Sequence, residues 1–195
     1  MKKLKLILWA AAAFVAMDAG AREKSEVYLS AGAYPCEVVS DFIANGFARW
    51  DLSSGYQKRF NYSGYGPVVG LEYQHFVSDK VKIGGICSWL YTSGDYYDPA
   101  FERNTSRRIN NYVYLMAQAR YCYQHTDRWQ VYLGGGAGAS LCAEYMEGDN
   151  MSFKPKFAFE VIPLGIANSS VVPVYLDLVM GNTVLGLRMG IGFKL

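Results

Sequence analysis

From residue 67 onward the 195-residue chain alternates apolar with small or polar residues. That two-residue period belongs to a β-strand whose successive side chains point to opposite faces. In "VKIGGICSWLY", Val81, Ile83, Gly85, Cys87, Trp89 and Tyr91 share one face. In "YVYLMAQARYCY" the shared face is Val113, Leu115, Ala117, Ala119, Tyr121 and Tyr123, and in "WQVYLGGGAGAS" it is Trp129, Val131, Leu133, Gly135, Ala137 and Ala139. The closing "VLGLRMGIGFKL" sets Leu185, Leu187, Met189, Ile191, Phe193 and Leu195 against Gly186, Arg188, Gly190, Gly192 and Lys194. Eight segments read this way as strands: 26–35, 67–77, 80–92, 110–124, 129–143, 156–167, 171–181 and 184–195.

The links alternate in length. "VSDK", "HTDR" and "NSS" are short turns, whereas "TSGDYYDPAFERNTSR" and "EYMEGDNMSFK" are long and polar. Short turns on one rim and longer loops on the other suit an up-and-down barrel. "GN" at 181–182 reads as a tight turn, which sets Asp177 opposite Gly186 and Tyr175 opposite Arg188, with Asp177 and Arg188 as diagonal neighbours. In "FAFEVIPLGI" the alternation slips: Ile162 and Leu164 fall on the inner face, and Pro163 marks a bulge. The link from Pro35 to Tyr65 is long for a structureless loop. It reads either as a short helix capped by Ser40 or Asp41 or as a protruding hairpin, and a hairpin joining the wall would raise eight strands to ten.

An oily face this continuous meets either a second sheet or lipid. The start of the chain bears on that choice. Lys2, Lys3 and Lys5 precede an apolar run from Leu6 to Met17, and Ala19-Gly20-Ala21 forms a small-x-small cleavage site. This is the pattern of a secretory signal peptide over residues 1–21, leaving a domain of residues 22–195. Without the leader the domain carries 16 basic and 16 acidic residues, a balance that points away from nucleic acid as a partner. The remaining sequence holds no apolar run of helical spanning length, so a membrane setting requires a closed barrel.

The inward parity carries Glu72, Lys82, Arg120, Glu160, Asp177 and Arg188, three charges of each sign. Gly134, Gly136, Gly138, Gly186, Gly190 and Gly192 lie on the same parity and leave room for long side chains across a narrow lumen. A soluble lipocalin-like binder of apolar ligands needs an oily interior instead, and this pattern puts charges there. The expected architecture is all-β, a closed antiparallel transmembrane β-barrel of eight strands with both termini periplasmic and a long extracellular loop around 36–65. Trp129 starts one strand, and Trp89, Tyr91, Tyr121 and Tyr123 fall near strand ends, the levels that amphipathic rings favour in a membrane.

"GPVVGLEYQHFVSDKVKIGG", "YVYLMAQARYCY", "WQVYLGGGAGAS", "FAFEVIPLGI" and "LRMGIGFKL" together resemble the small single-domain outer-membrane β-barrel proteins of the Bacteroidales type. The resemblance implies a cell outer-membrane address, contact with membrane lipid, and delivery by the barrel assembly machinery. It also implies a terminal assembly signal, carried here by Phe193 and Leu195, although Phe193 is third from last where the strictest form ends in an aromatic residue. The resemblance speaks to fold and address, not to activity. With no catalytic or cofactor constellation in the sequence, the expected role is non-enzymatic, structural or surface-interacting through the long loops, with no cofactor.

Some outer-membrane barrels modify lipid A with His, Ser and an acidic residue, which leaves an enzymatic alternative. This chain has two His. His75 lies near Ser78 and His125 near Asp127, both beside short turns, and these spacings define no nucleophile–base–orienter set. No catalytic residue is assigned. Cys36, Cys87, Cys122 and Cys142 lack metal-site spacing. "GGGAG" lies within a strand and not between a strand and a helix, so it reads as packing space and not as a phosphate loop. A narrow channel is the remaining alternative.

Overall fold

The computed structural model describes residues 25–33, 35, 59–98, 103–126, 128–146 and 151–195. The expected signal peptide at 1–21 and most of the 36–65 link, including the expected helix, lie outside the described residues. The strands are β1 (Ser25–Gly32), β2 (Arg59–Tyr65), β3 (Val68–Ser78), β4 (Val81–Asp98), β5 (Arg103–His125), β6 (Trp129–Met146), β7 (Ser152–Asn168), β8 (Val174–Gly181) and β9 (Leu185–Lys194). Among the described residues they form one antiparallel sheet in the order β2-β4-β3-β1-β9-β8-β7-β6-β5, and β5 also pairs with β4. The pairings therefore come full circle, which leaves few backbone edges open.

β2 and β3 lie end to end along β4, β3 on Val81–Trp89 and β2 on Thr92–Tyr97. The described end of the 36–65 link thus lengthens an existing row of the sheet instead of adding two new strands to the ring.

Register carries the outward parity from strand to strand. Leu176 pairs with Met189, Met189 with Ala31, Ala31 with Val69, Val69 with Trp89, and Trp89 with Val113. Every residue on this path is on the outer face. The face alternation read from the sequence holds along β4, β5 and β6.

β7 slips at one point. Tyr132 pairs with Gly165 and Gly134 with Ile162, so one β6 residue spans two on β7. Pro163 sits in this bulge, where its missing N–H costs no ladder bond. Ile162 stays inward and fully buried, but Leu164 is turned outward, contrary to its expected inner position.

The β8–β9 connection also differs from expectation. The chain does not fold at a two-residue turn: Met180 pairs with Leu185, so Gly181 to Val184 form the link. Thr183 donates to Glu160 Oε2 at 3.2 Å, Val184 is buried and bridges Pro35, and Asn182 binds β7. These anchors hold a wider turn and move the register by two residues. Asp177 consequently faces Arg188 directly, and Tyr175 faces Gly190.

The strands are unequal. β1 has 8 residues and β9 has 10, whereas β5 has 23. β4 to β7, of 17 to 23 residues, extend well past the ends of β1, β8 and β9 on the side that bears the long loops. Trp89 and Tyr91, expected near a strand end, accordingly lie within β4.

The projecting margin of β7 is unpaired by β8, whose ladder stops at Glu160–Gly181. Asn182 covers part of it: its N–H donates to Phe159 O at 3.1 Å, its Oδ1 accepts from Phe159 N at 2.8 Å, and its Nδ2 donates to Phe157 O at 2.7 Å. Two residues further along the same edge is Pro155, with no N–H to offer.

Candidate functional site

The inner face gathers all six charges identified on that parity, every one of them buried. β3 supplies Glu72, β5 Arg120, β7 Glu160, β8 Asp177 and β9 Arg188. Arg120 Nη2 donates to Glu72 Oε2 at 2.8 Å and to Asp177 Oδ2 at 3.2 Å. Arg188 Nη1 lies 2.9 Å from both oxygens of Glu160, and its Nη2 lies 3.2 Å from Asp177 Oδ2. Two guanidiniums thus tie three carboxylates across five strands. Gln118 Nε2 donates to Glu160 Oε1 at 2.5 Å, and Gln118 Oε1 accepts from Gln74 Nε2 at 2.8 Å. Desolvating an ion costs several kcal/mol, and such a cluster is tolerable when each charge has both a counter-charge and hydrogen bonds.

Lys82 stands apart from this cluster, nearer the short-turn rim. It pairs with Glu26 at 2.7 Å and lies 4.2 Å from the Phe76 ring centroid. Glu26 also accepts from Tyr28 OH at 2.7 Å. Glu26 is an inner charge that the sequence pattern leaves out, because it opens its strand and has no preceding alternation to assign its face. Its available signal was Tyr28 and Ser30 at the same parity.

Toward the long-loop rim the inner face mixes apolar side chains with Ser88, Thr92, Asn110 and Ser140, all of them buried. Ile86, Leu90, Met116 and Val179 are buried there, and the rings of Tyr112 and Tyr114 stack 6.2 Å apart. Charged, neutral polar and apolar side chains thus share the buried inner face. Beyond them, Glu144 joins Arg108 at 2.7 Å and also pairs with Lys154.

Three tyrosines complete the ionic layer, each seated on a cross-strand glycine: Tyr28 on Gly192, Tyr132 on Gly165 and Tyr175 on Gly190. Tyr132 donates to Asp177 at 2.5 Å and Tyr175 donates to Glu72. The Arg120 guanidinium lies 4.8 Å from the Tyr175 ring centroid and 5.1 Å from that of Tyr132. A Cβ at Gly190 would fall 2.2 Å from Tyr175 Cε1. Gly190→Ala should consequently destabilise the fold by about 1–3 kcal/mol, the usual cost of overpacking. A lowered urea midpoint that recovers partly in a Tyr175→Leu background checks this.

His75 does meet a serine, but not Ser78. Its Nδ1 lies 3.0 Å from Ser25 Oγ, which is also 3.1 Å from Tyr73 OH. Fifty positions of separation hid this contact from local spacing. Ser25 is 1% exposed, so an ester has no approach to its hydroxyl. Asp127, the expected neighbour of His125, lies outside the described residues. Among the described residues no His, Cys, Asp and Glu cluster could hold a metal, and Cys87, Cys122 and Cys142 are free thiols. Cys36 is outside the described residues. Phe193 and Leu195 are exposed at the short-turn rim, where Leu195 N donates to Ser25 O at 2.9 Å.

No protein-family model matches the chain, and no curated protein matches it. Among solved structures it is similar to Ail, the attachment invasion locus protein of Yersinia pestis, at 13% identity and a TM-score of 0.40, covering 89% of this chain and 99% of that one. A second structure of Ail, in complex with the heparin analogue sucrose octasulfate, gives 14% identity, a TM-score of 0.40, and coverage of 88% and 99%. A TM-score of 0.40 is too low for the likeness to bear on fold or role.

Proposed function

We propose that this chain is a non-enzymatic outer-membrane protein, an eight-stranded transmembrane β-barrel with a structural or surface-interaction role. The supporting observation is the inversion of its two faces. The outer face exposes a continuous apolar belt, with Leu29 64%, Leu115 66% and Met189 59% exposed, while the inner face buries Glu72, Arg120, Glu160, Asp177 and Arg188. Soluble proteins seldom bury this much charge beneath so large an apolar surface. Lipid on the outside makes the arrangement favourable. Exposed Tyr121, Tyr123 and Trp129 near the short turns suit an interface level.

In this reading residues 1–21 are a removed leader, the short turns and both ends of the 22–195 domain face the periplasm, and Phe193 with Leu195 is the signal read by the barrel assembly machinery. The 36–65 link and the projecting β4–β7 sheet lie outside the cell, where Arg107, Lys154 and Lys156 are exposed to a partner. Charged, polar and apolar side chains together fill the lumen, as expected of a small barrel that is not a general pore.

Expression of the full chain with its leader, followed by fractionation, tests the membrane assignment. Processed protein should resist alkaline washing of the envelope and leave it only in detergent. Recovery with the soluble periplasm would overturn the assignment.

A further inference from the structure

At the short-turn rim, outside the lumen, a cleft of about 380 Å³ is lined by Arg128, Trp129, Asn168, Ser169 and Ser170. It is built where the β6 start meets the β7 end: Trp129 pairs with Asn168, and Ser169 N donates to Arg128 O at 2.9 Å. Its donors are the Arg128 guanidinium and the Asn168 amide, since the Ser170 hydroxyl is spent on Val172 O at 2.5 Å. Asn168 Oδ1 already accepts from Val174 N at 2.9 Å, which fixes the amide and leaves its Nδ2 hydrogens to donate elsewhere. Among the described residues no carboxylate pairs with Arg128. Lys194 adds a second cation, its ammonium donating to Ser169 O at 3.0 Å.

A cation beside a fixed amide in one cleft matches the oxygens of a phosphate. The cleft adjoins the apolar belt. Trp129 is exposed beside it, and one register step toward the belt lie Val131 and Ile166, which pair with each other on the outer face. We propose that this cleft binds the phosphate of an anionic phospholipid in the periplasmic leaflet, with the acyl chains lying over Val131 and Ile166. The inference rests on the transmembrane reading above, which puts the short-turn rim at that leaflet.

Native mass spectrometry of the folded full-length domain in detergent, with phosphatidylglycerol or phosphatidylcholine added, tests it. Phosphatidylglycerol should be retained preferentially. Arg128→Ala should weaken its retention about fivefold, the factor that corresponds to the ~1 kcal/mol expected of one interfacial cation. Asn168→Asp, which keeps the Oδ1 acceptor and replaces the Nδ2 donor by a charged oxygen, should weaken it further, whereas Arg107→Ala, at the opposite rim, should leave it unchanged. Equal retention by the wild-type protein and both cleft variants would overturn the site. Competition by millimolar glycerol 3-phosphate as strong as by the lipid would overturn the lipid source and assign the cleft to a soluble phosphate. Fractionation separates the two readings: detergent-dependent extraction with unaltered retention in Arg128→Ala refutes the cleft alone, and release without detergent refutes the membrane assignment.

Discussion

Arg188→Ala is expected to lower the unfolding free energy by about 3–5 kcal/mol, the cost of removing one partner from a buried ion pair. Arg188 is 2% exposed and reaches both Glu160 oxygens and Asp177. Without it, Arg120 is left as the single guanidinium holding Glu72 and Asp177, and Glu160 keeps only neutral donors, Gln118 and Thr183. The expense comes from the carboxylate left behind more than from the arginine that is lost. A Glu160→Gln change in the same protein should therefore restore part of the stability, because the orphaned charge goes with it. Urea unfolding of the protein in lipid vesicles, followed by tryptophan fluorescence, measures both. A single-variant loss under 1 kcal/mol would mean that water reaches Glu160 and solvates it, and the ionic layer would then not be a dry lock.

The alternation along β4, β5 and β6 made the faces legible because each of those strands offers six or more residues of unbroken period. The six inner charges were legible for the same reason. Contacts across the lumen were not. Which carboxylate Arg120 meets depends on strand tilt and on how far each strand is displaced along its neighbour, and neither quantity is written in local sequence. Asp177 and Arg188 illustrate the point: their proximity was legible, but the register was two residues out. A turn of residues 181–184 is anchored by Thr183 on β7 and by Val184 against Pro35, partners remote in sequence. Leu164 failed differently. A bulge reverses parity for every residue after it, and although Pro163 marked its place, it did not specify which residue would turn outward. The headgroup cleft left no sequence signal at all, since Arg128 and Asn168 come from turns 40 positions apart and are brought together by the Trp129–Asn168 pairing and the Ser169 N–H bond to Arg128 O.

Moving one residue along β9 reverses the expected effect of an arginine. Met189→Arg should cost about 2–4 kcal/mol, the penalty for a cation at the middle of the lipid face of a barrel. Met189 is in the middle of Leu185–Lys194, is 59% exposed, and pairs with Leu176 and Ala31 on the same outer face. An arginine at 188 enters a cage of carboxylates, whereas one at 189 meets hydrocarbon or must bend toward an interface with the energetic loss that snorkelling entails. The comparison also discriminates between solvents. If the outer face met water, Met189→Arg would replace an exposed apolar side chain with a charged one, and a surface change of that kind alters stability by no more than about 0.5 kcal/mol. Refolding into vesicles with a urea midpoint well below wild type is the expected result. A midpoint equal to wild type, or a variant that folds without vesicles or detergent, would place this face in water and remove the basis for the membrane assignment.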